Sequence, residues 1–160
     1  MLPSNNYFKL FNLPVSYNID KNKLKKNYYN LNMSYHTDVD NNERNMNMLI
    51  NKGFKILNDD LLRAKYLNNE IVEMDKKFLL DILEIEEQIE NAEDLNIIKD
   101  RLQKEIDLCK SKYYDKQYLC KWQYYDRLKK MVEKKLWKII LKISIDIEIF
   151  KFKKVVDKIL

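Results

Sequence analysis

Three observations predict an all-α fold for this 160-residue chain. It contains one Gly and two Pro, both prolines within the first fourteen positions, so almost nothing downstream interrupts a helix. Apolar residues recur at steps of three and four along most of its length. With 46% apolar and 34% charged residues, the composition is that of a folded protein long enough for one domain or two small ones.

Taken in order, Asn5 and Asn6 precede the apolar set Tyr7, Phe8, Leu10, Phe11 and Leu13, and Pro14 bounds this short first helix. Asp20 suits the N-cap of a second helix, where its carboxylate satisfies free N–H groups and complements the helix dipole. That helix carries Leu24, Tyr28, Leu31 and Tyr35 as one stripe. Its opposite side carries Lys21, Lys23, Lys25 and Lys26, with no acid between Lys21 and Tyr35. After a polar loop, Met46, Leu49, Ile50, Phe54 and Leu57 share one face of a third helix, spanning roughly 43–57. Residues 61–67 form a further short helix, and the polar stretch 68–75 reads as a linker.

Beyond the linker, three long helices are expected. The first uses Phe78, Leu79, Ile82, Leu83, Ile85 and Ile89, and the second uses Leu95, Ile98, Leu102, Ile106, Cys109 and Tyr113. The third uses Tyr118, Trp122, Tyr125, Leu128, Val132 and Leu136. Narrow stripes and short turns indicate a three-helix bundle. The domain reading is therefore 1–67, a linker at 68–75, and a helical bundle at 76–160. The tail, 137–160, is ambiguous: Lys142 to Ile149 alternates apolar and polar, the period of a strand. A lone strand is unstable and the chain offers it no partner, so a helix is expected there.

Composition also narrows function. The net charge of +5 accompanies a general excess of Lys, Asn, Ile and Tyr, and no arginine-rich run or aromatic-basic platform singles out a nucleic acid. Cys109 and Cys120, with a single His, do not make a metal framework, and no cofactor site is expected. They read as small buried or half-buried residues in a reducing compartment. The N-terminus lacks a basic segment followed by an apolar core, and no uncharged apolar run is long enough to span a bilayer, so a soluble cytoplasmic chain is expected. The only histidine, His36, stands with Thr37 and Asp38 between the second and third helices. An acid–base role for this pair lacks a nucleophile or metal ligand to act with, so no enzyme is expected.

Four ordered segments, Tyr7 to Pro14, Ile50 to Leu57, Arg63 to Leu67 and Phe78 to Glu84, together resemble the HscB family, J-type co-chaperones of iron–sulfur cluster assembly. Tyr7-Phe8-Lys9-Leu10-Phe11-Asn12-Leu13-Pro14 is similar to the family opening, with Asn12 in place of Gly. Ile50-Asn51-Lys52-Gly53-Phe54-Lys55-Ile56-Leu57 is similar to its Ile-Asn-x-Ala-(Trp/Tyr)-x-x-Leu segment. Arg63-Ala64-Lys65-Tyr66-Leu67 matches its Arg-Ala-x-Tyr-Leu element, and Phe78 to Glu84 resembles the start of its C-terminal domain. The resemblance covers residues 6 to 90, and more loosely to 136. It implies an N-terminal J-domain helical hairpin followed by a C-terminal three-helix bundle. The J-domain would stimulate an HscA/DnaK-type ATPase chaperone, and the bundle would bind the IscU scaffold protein.

Carried over residue by residue, the resemblance implies chaperone binding by His36, Thr37 and Asp38 and by Lys23, Lys25 and Lys26. It implies scaffold binding by Leu79, Leu80, Leu83, Glu84, Glu87 and Tyr124. The family has Pro where this chain has Thr37. Proline restricts φ, and its loss relaxes the loop at a cost of about 0.4–1 kcal/mol in preorganisation. The competing expectation is a scaffold-binding protein whose degenerate J-loop no longer stimulates ATPase. The expected compartment is the bacterial cytoplasm, the alternative a mitochondrial matrix or mitosome. The apolar tail has no counterpart in the resemblance and is a candidate for self-association.

Overall fold

The computed structural model describes residues 6–35, 41–68 and 72–156. Among the described residues are α1 (Tyr7–Leu10), α2 (Lys21–Ser34), α3 (Asn41–Asn58), α4 (Asp60–Leu67), α5 (Lys76–Asn91), α6 (Leu95–Ser111) and α7 (Lys116–Val156), and no strand. They form two compact units: one holds α1 to α4 with the segment 112–119, the other α5, α6 and the remainder of α7.

In the first unit, α1 is a single turn begun by Asn6, whose Oδ1 accepts from the Lys9 N–H at 3.2 Å. Asn12, at φ 47°, reverses the chain beyond it, and Leu13 N–H donates to Phe8 O at 2.8 Å. Asn is among the few non-glycine residues that enter the left-handed region readily, so it serves where the resembled pattern has Gly. This turn drives Tyr7, Phe8, Phe11 and Leu13 into a core completed by Leu24 of α2, Ile50 and Leu57 of α3, and Tyr66 of α4. Gly53 of α3 admits α1 closely: a Cβ there would lie 2.7 Å from Tyr7 Cδ1 and 3.0 Å from Phe11 Cε2.

Asp20 caps α2, its Oδ1 accepting from Asn22 and Lys23 N–H at 2.9 and 3.0 Å. α2 pairs with α3 along its apolar stripe, where the Tyr28 ring stacks on Phe54 at 4.1 Å. The Tyr28 hydroxyl donates to Asn51 Oδ1 at 2.8 Å, and Asn47 Nδ2 donates to Tyr35 O at the C-cap of α2.

α4 locks the unit. Arg63 is buried to 3% exposure, and its guanidinium donates three ways: Nε to Tyr17 O at 2.7 Å, Nη1 to Leu57 O at 2.5 Å, and Nη2 to Asp60 Oδ1 at 2.7 Å. It also lies over the Tyr17 ring, 4.9 Å from the centroid. Three residues on, the Tyr66 hydroxyl accepts from the Tyr7 N–H at 3.1 Å, satisfying a buried donor at the start of α1. Segment 112–119 joins this unit through the Tyr113 ring, stacked on Tyr17 at 4.0 Å, and through Asn68 Nδ2 donating to Tyr113 O.

In the second unit, Asp75 caps α5 by accepting from Phe78 N–H at 2.8 Å, and Phe78, Ile82, Ile85 and Ile89 turn inward. They pack on Leu95 and Leu102 of α6 and on Leu128 and Val132 of α7. The last turn of α5 has no basic residue of its own; Lys135 of α7 supplies one, its Nζ donating to Ile89 O and Glu90 O at 2.7 Å each. The alternating stretch of the tail is helical, as α7 runs unbroken to Val156. No helix among the described residues is long and apolar enough to cross a membrane.

Two outcomes follow for the first unit. Arg63→Ala leaves the Tyr17 and Leu57 carbonyls without their guanidinium donor and Asp60 with Lys21, and is expected to lower unfolding free energy by about 3 kcal/mol in urea; a loss below ~1 kcal/mol would show the network to be dispensable. Gly53→Ala gains about 0.5–1 kcal/mol of helix propensity but overpacks Tyr7 at a cost of ~1–3 kcal/mol, so a net loss near ~1 kcal/mol is expected. A stabilised Gly53→Ala chain would mean that α1 shifts freely.

Candidate functional site

Two exposed surfaces carry the residues singled out by sequence, one in each unit. On α2 the apolar stripe is spent on packing: Leu24 is buried, and Tyr28, Leu31 and Tyr35 are half-buried against the core. At about 100° per residue, Lys23, Lys25 and Lys26 then project to the other side. All three are exposed and make no ion pair among the described residues. Lys21 leaves this group, because its Nζ pairs with Asp60 Oδ1 at 2.7 Å and so ties the start of α2 to α4.

Burial acts to raise the Asp60 carboxyl, but hydrogen bonds and attraction from Lys21 and Arg63 together outweigh it and hold the group below its ordinary value. Two apolar residues also lie on the basic side: Tyr29 and Met33, one and two turns on from Lys25, are largely exposed. The four-residue step from Lys25 was the sequence signal that marks them. His36, Thr37 and Asp38 lie outside the described residues, between the C-cap Tyr35 and the first residue of α3.

On α5 the inward residues Phe78, Ile82, Ile85 and Ile89 leave an outer arc of Leu79, Leu83, Glu87, Leu80 and Glu84, in angular order. Leu80 and Leu83 are each 59% exposed, which excludes them from the bundle core; Leu79 is half-buried against it. Glu84 and Glu87 are exposed beside the leucines. Tyr124 of α7 is half-buried, edge-on to Phe78 at 5.5 Å, so its ring is held by the core. Arg127 steadies this edge, ion-paired with Glu86 and lying 5.9 Å over the Tyr124 ring. Sequence reading missed Arg127, whose role depends on the α5–α7 pairing. The arrangement is an apolar strip with an acidic border, suited to a protein partner.

Concave chemistry is scarce. A cleft of about 130 Å³ between α5 and α6 is lined by Asp81, Glu84, Arg101, Glu105 and Tyr125, well below the size of small-molecule pockets. Burial and then the Glu105 charge push the Tyr125 phenol up to about 12, so it stays protonated at neutral pH. A shallow groove along α7 beside Arg127, Lys130 and Met131 is walled by one helix and cannot enclose a ligand. Among the described residues no group of three or more His, Cys, Asp or Glu could hold a metal ion.

The chain is 34% identical to the co-chaperone protein HscB of Buchnera aphidicola subsp. Acyrthosiphon pisum, over 67% of this chain and 75% of that protein. It is 36% identical to a co-chaperone HscB homolog of Acinetobacter baumannii, over 54% of this chain and 57% of the other. Among solved structures, human co-chaperone HscB superposes with a TM-score of 0.69 at 26% identity, over 83% of each chain. HscB of Vibrio cholerae superposes with a TM-score of 0.71, over 83% of this chain and 98% of the other; at 22% identity this likeness concerns the fold alone. No family model matches the chain.

The Asp60 contacts generate a pH expectation. A carboxyl held below its unfolded value near 3.9 stabilises the fold above that pH, and the contribution disappears as pH falls through the lowered native value. Asp60→Asn is therefore expected to be less stable than the parent at pH 7, with the gap closing toward pH 3 in thermal melts. A gap of constant size across that range would remove the titration of Asp60 as its cause.

Proposed function

Because the chain belongs to the HscB family of co-chaperones, we propose that it serves iron–sulfur cluster biogenesis by bringing a cluster-scaffold protein of the IscU type to an HscA/DnaK-type ATPase and stimulating that ATPase. The observation that carries this reading is the division of labour on α2. Its apolar stripe is consumed by α3 and the core, while Lys23, Lys25 and Lys26 stand exposed on the first turns of the helix that precedes His36-Thr37-Asp38 in sequence. A basic helix face accelerates encounter with an acidic surface and positions the loop that follows it. Asp38 then supplies an anionic contact to an arginine of the ATPase, with His36 orienting the loop. In this reading 1–67 is the J-domain, 68–75 the linker and 76–160 the bundle.

The scaffold protein is assigned to the outer arc of α5, with Leu79, Leu80 and Leu83 as apolar anchors, Glu84 and Glu87 as acidic border, and Tyr124 at the edge. Exposed leucines with charged neighbours support that assignment, since a core role would have buried them. The work takes place in the cytoplasm of a bacterium, with a mitochondrial matrix or mitosome as the alternative. Thr37 favours a second reading, in which the bundle still holds the scaffold but the relaxed loop no longer triggers hydrolysis.

Steady-state ATP hydrolysis by the cognate chaperone with scaffold protein decides between them. The first reading expects stimulation by the wild type, its loss in Asp38→Asn, and a two- to five-fold gain in Thr37→Pro, an estimate of about 0.4–1 kcal/mol. No stimulation by the wild type, with activity appearing in Thr37→Pro, selects the second reading. Leu83→Asp is expected to weaken scaffold binding at least about tenfold by titration calorimetry while leaving scaffold-free stimulation intact; unchanged scaffold affinity would remove the α5 arc from the interface.

A further inference from the structure

Within α7 the bundle ends before the helix does. From Trp137 to Phe150, nine large apolar side chains are exposed, Trp137 at 64% and Phe150 at 59%. An exposed patch of that density marks an interaction surface rather than ordinary surface scatter. Its pattern is not random. The stripe by which α7 faces the bundle core, Leu128 and Val132 followed by half-buried Leu136, continues as Ile140, Ile143, Ile147 and Phe150. From Leu136 these fall at steps of four, three, four and three, the spacing of a helix-pairing seam. A second row, Trp137, Leu141, Ile145 and Ile149, runs up the other side at steps of four.

We propose that this segment is a self-association element, in which two copies of the chain pair antiparallel through Leu136, Ile140, Ile143, Ile147 and Phe150 about a two-fold axis near Ile143. The seam is the bundle's own core stripe extended, so pairing continues an interface already formed inside each copy. Antiparallel register brings Leu136 level with Phe150 of the other copy, and Ile140 within one residue of Ile147. On the flank of the seam it also brings Asp146 within about 3 Å of axial height of Lys142 of the other copy. Lys142 and Asp146 make no ion pair among the described residues, so both charges are available for such a contact.

A lipid surface fits less well as the occupant. Between Trp137 and Phe150 the charges of Lys138 and Lys142 are balanced by Asp146 and Glu148, so the segment lacks the strongly basic polar face that draws an amphipathic helix onto an anionic bilayer. The nine side chains together present on the order of the 800 Å² per partner that a standard interface needs. One seam covers about half of it, so association is expected to depend on concentration in the micromolar range. The inference is independent of the co-chaperone reading.

Light scattering on the full chain, eluted at 10 and 100 µM, tests it. The expected mass approaches twice the 19.6 kDa of one chain, or an even multiple of it, at the higher concentration. Ile143→Glu with Ile147→Glu should return it to 19.6 kDa with unchanged far-ultraviolet dichroism, since neither side chain is in the core. Asp146→Lys or Lys142→Glu alone should raise the dissociation constant about threefold, and the two together should restore it. A monomer at 100 µM overturns the proposal, as does a double-glutamate variant that still dimerises. A monomer that co-sediments with vesicles of phosphatidylcholine and phosphatidylglycerol overturns it in favour of lipid.

Discussion

The first unit depends on one buried guanidinium. Arg63 holds the carbonyl of Tyr17 in the loop before α2, the carbonyl of Leu57 at the end of α3, and the carboxylate of Asp60 at the start of α4. A buried charge is costly unless each of its donors is met, and here each nitrogen of the planar fork finds an oxygen on a different segment. The same charge answers the Leu57 carbonyl in the last turn of α3, which a residue without a donor would leave unsatisfied. Asp60 is shared with Lys21, so the cluster reaches the first turn of α2 and fixes where that helix begins. The orientation of the α2–α3 pair, and of the surface it presents, rests on this junction.

The two candidate surfaces share one logic. In each, a helix uses about half of its circumference for packing and offers the rest to solvent. On α2 the packed half is aromatic and the offered half basic, with Tyr29 and Met33 set among the lysines. On α5 the packed half is Phe78 and three isoleucines, and the offered half is leucine with glutamate. Opposite chemistry on the two offered faces suits two different partners, which is the requirement of an adaptor. The tail of α7 breaks the pattern, because from Trp137 to Phe150 its large apolar side chains are exposed.

Particular residues show how far sequence reading reaches. Asp20 is an N-cap in the structure because a carboxylate before an apolar-periodic run meets the free N–H groups of the next turn, and local chemistry is legible in a local pattern. Leu24, Ile50, Ile82 and Val132 are buried where their spacing put them. In the tail, period-two alternation favours a strand while the lack of a strand partner in the sequence favours a helix, and the segment is helical to Val156. The lysine face was legible only in part, since nothing near Lys21 in sequence announces Asp60. The roles of Arg63 and Tyr66 were visible only as matches to a pattern, not as reasons, because Tyr66 meets Tyr7 across 59 residues.

By itself the sequence determined what depends on near neighbours: the seven helical segments found among the described residues, the Asp20 cap and the apolar stripes that pack. It also carried the ordered motifs by which the family is recognised. Only the tertiary structure decided which charges remain available and which are consumed, because a long lysine or arginine reaches whatever the fold brings near it. It separated Lys21 from Lys23, Lys25 and Lys26, placed Arg127 against Glu86 and Tyr124, and sent Lys135 to close the end of α5. These are outcomes of packing between elements distant in sequence, and no periodicity within a single helix encodes them.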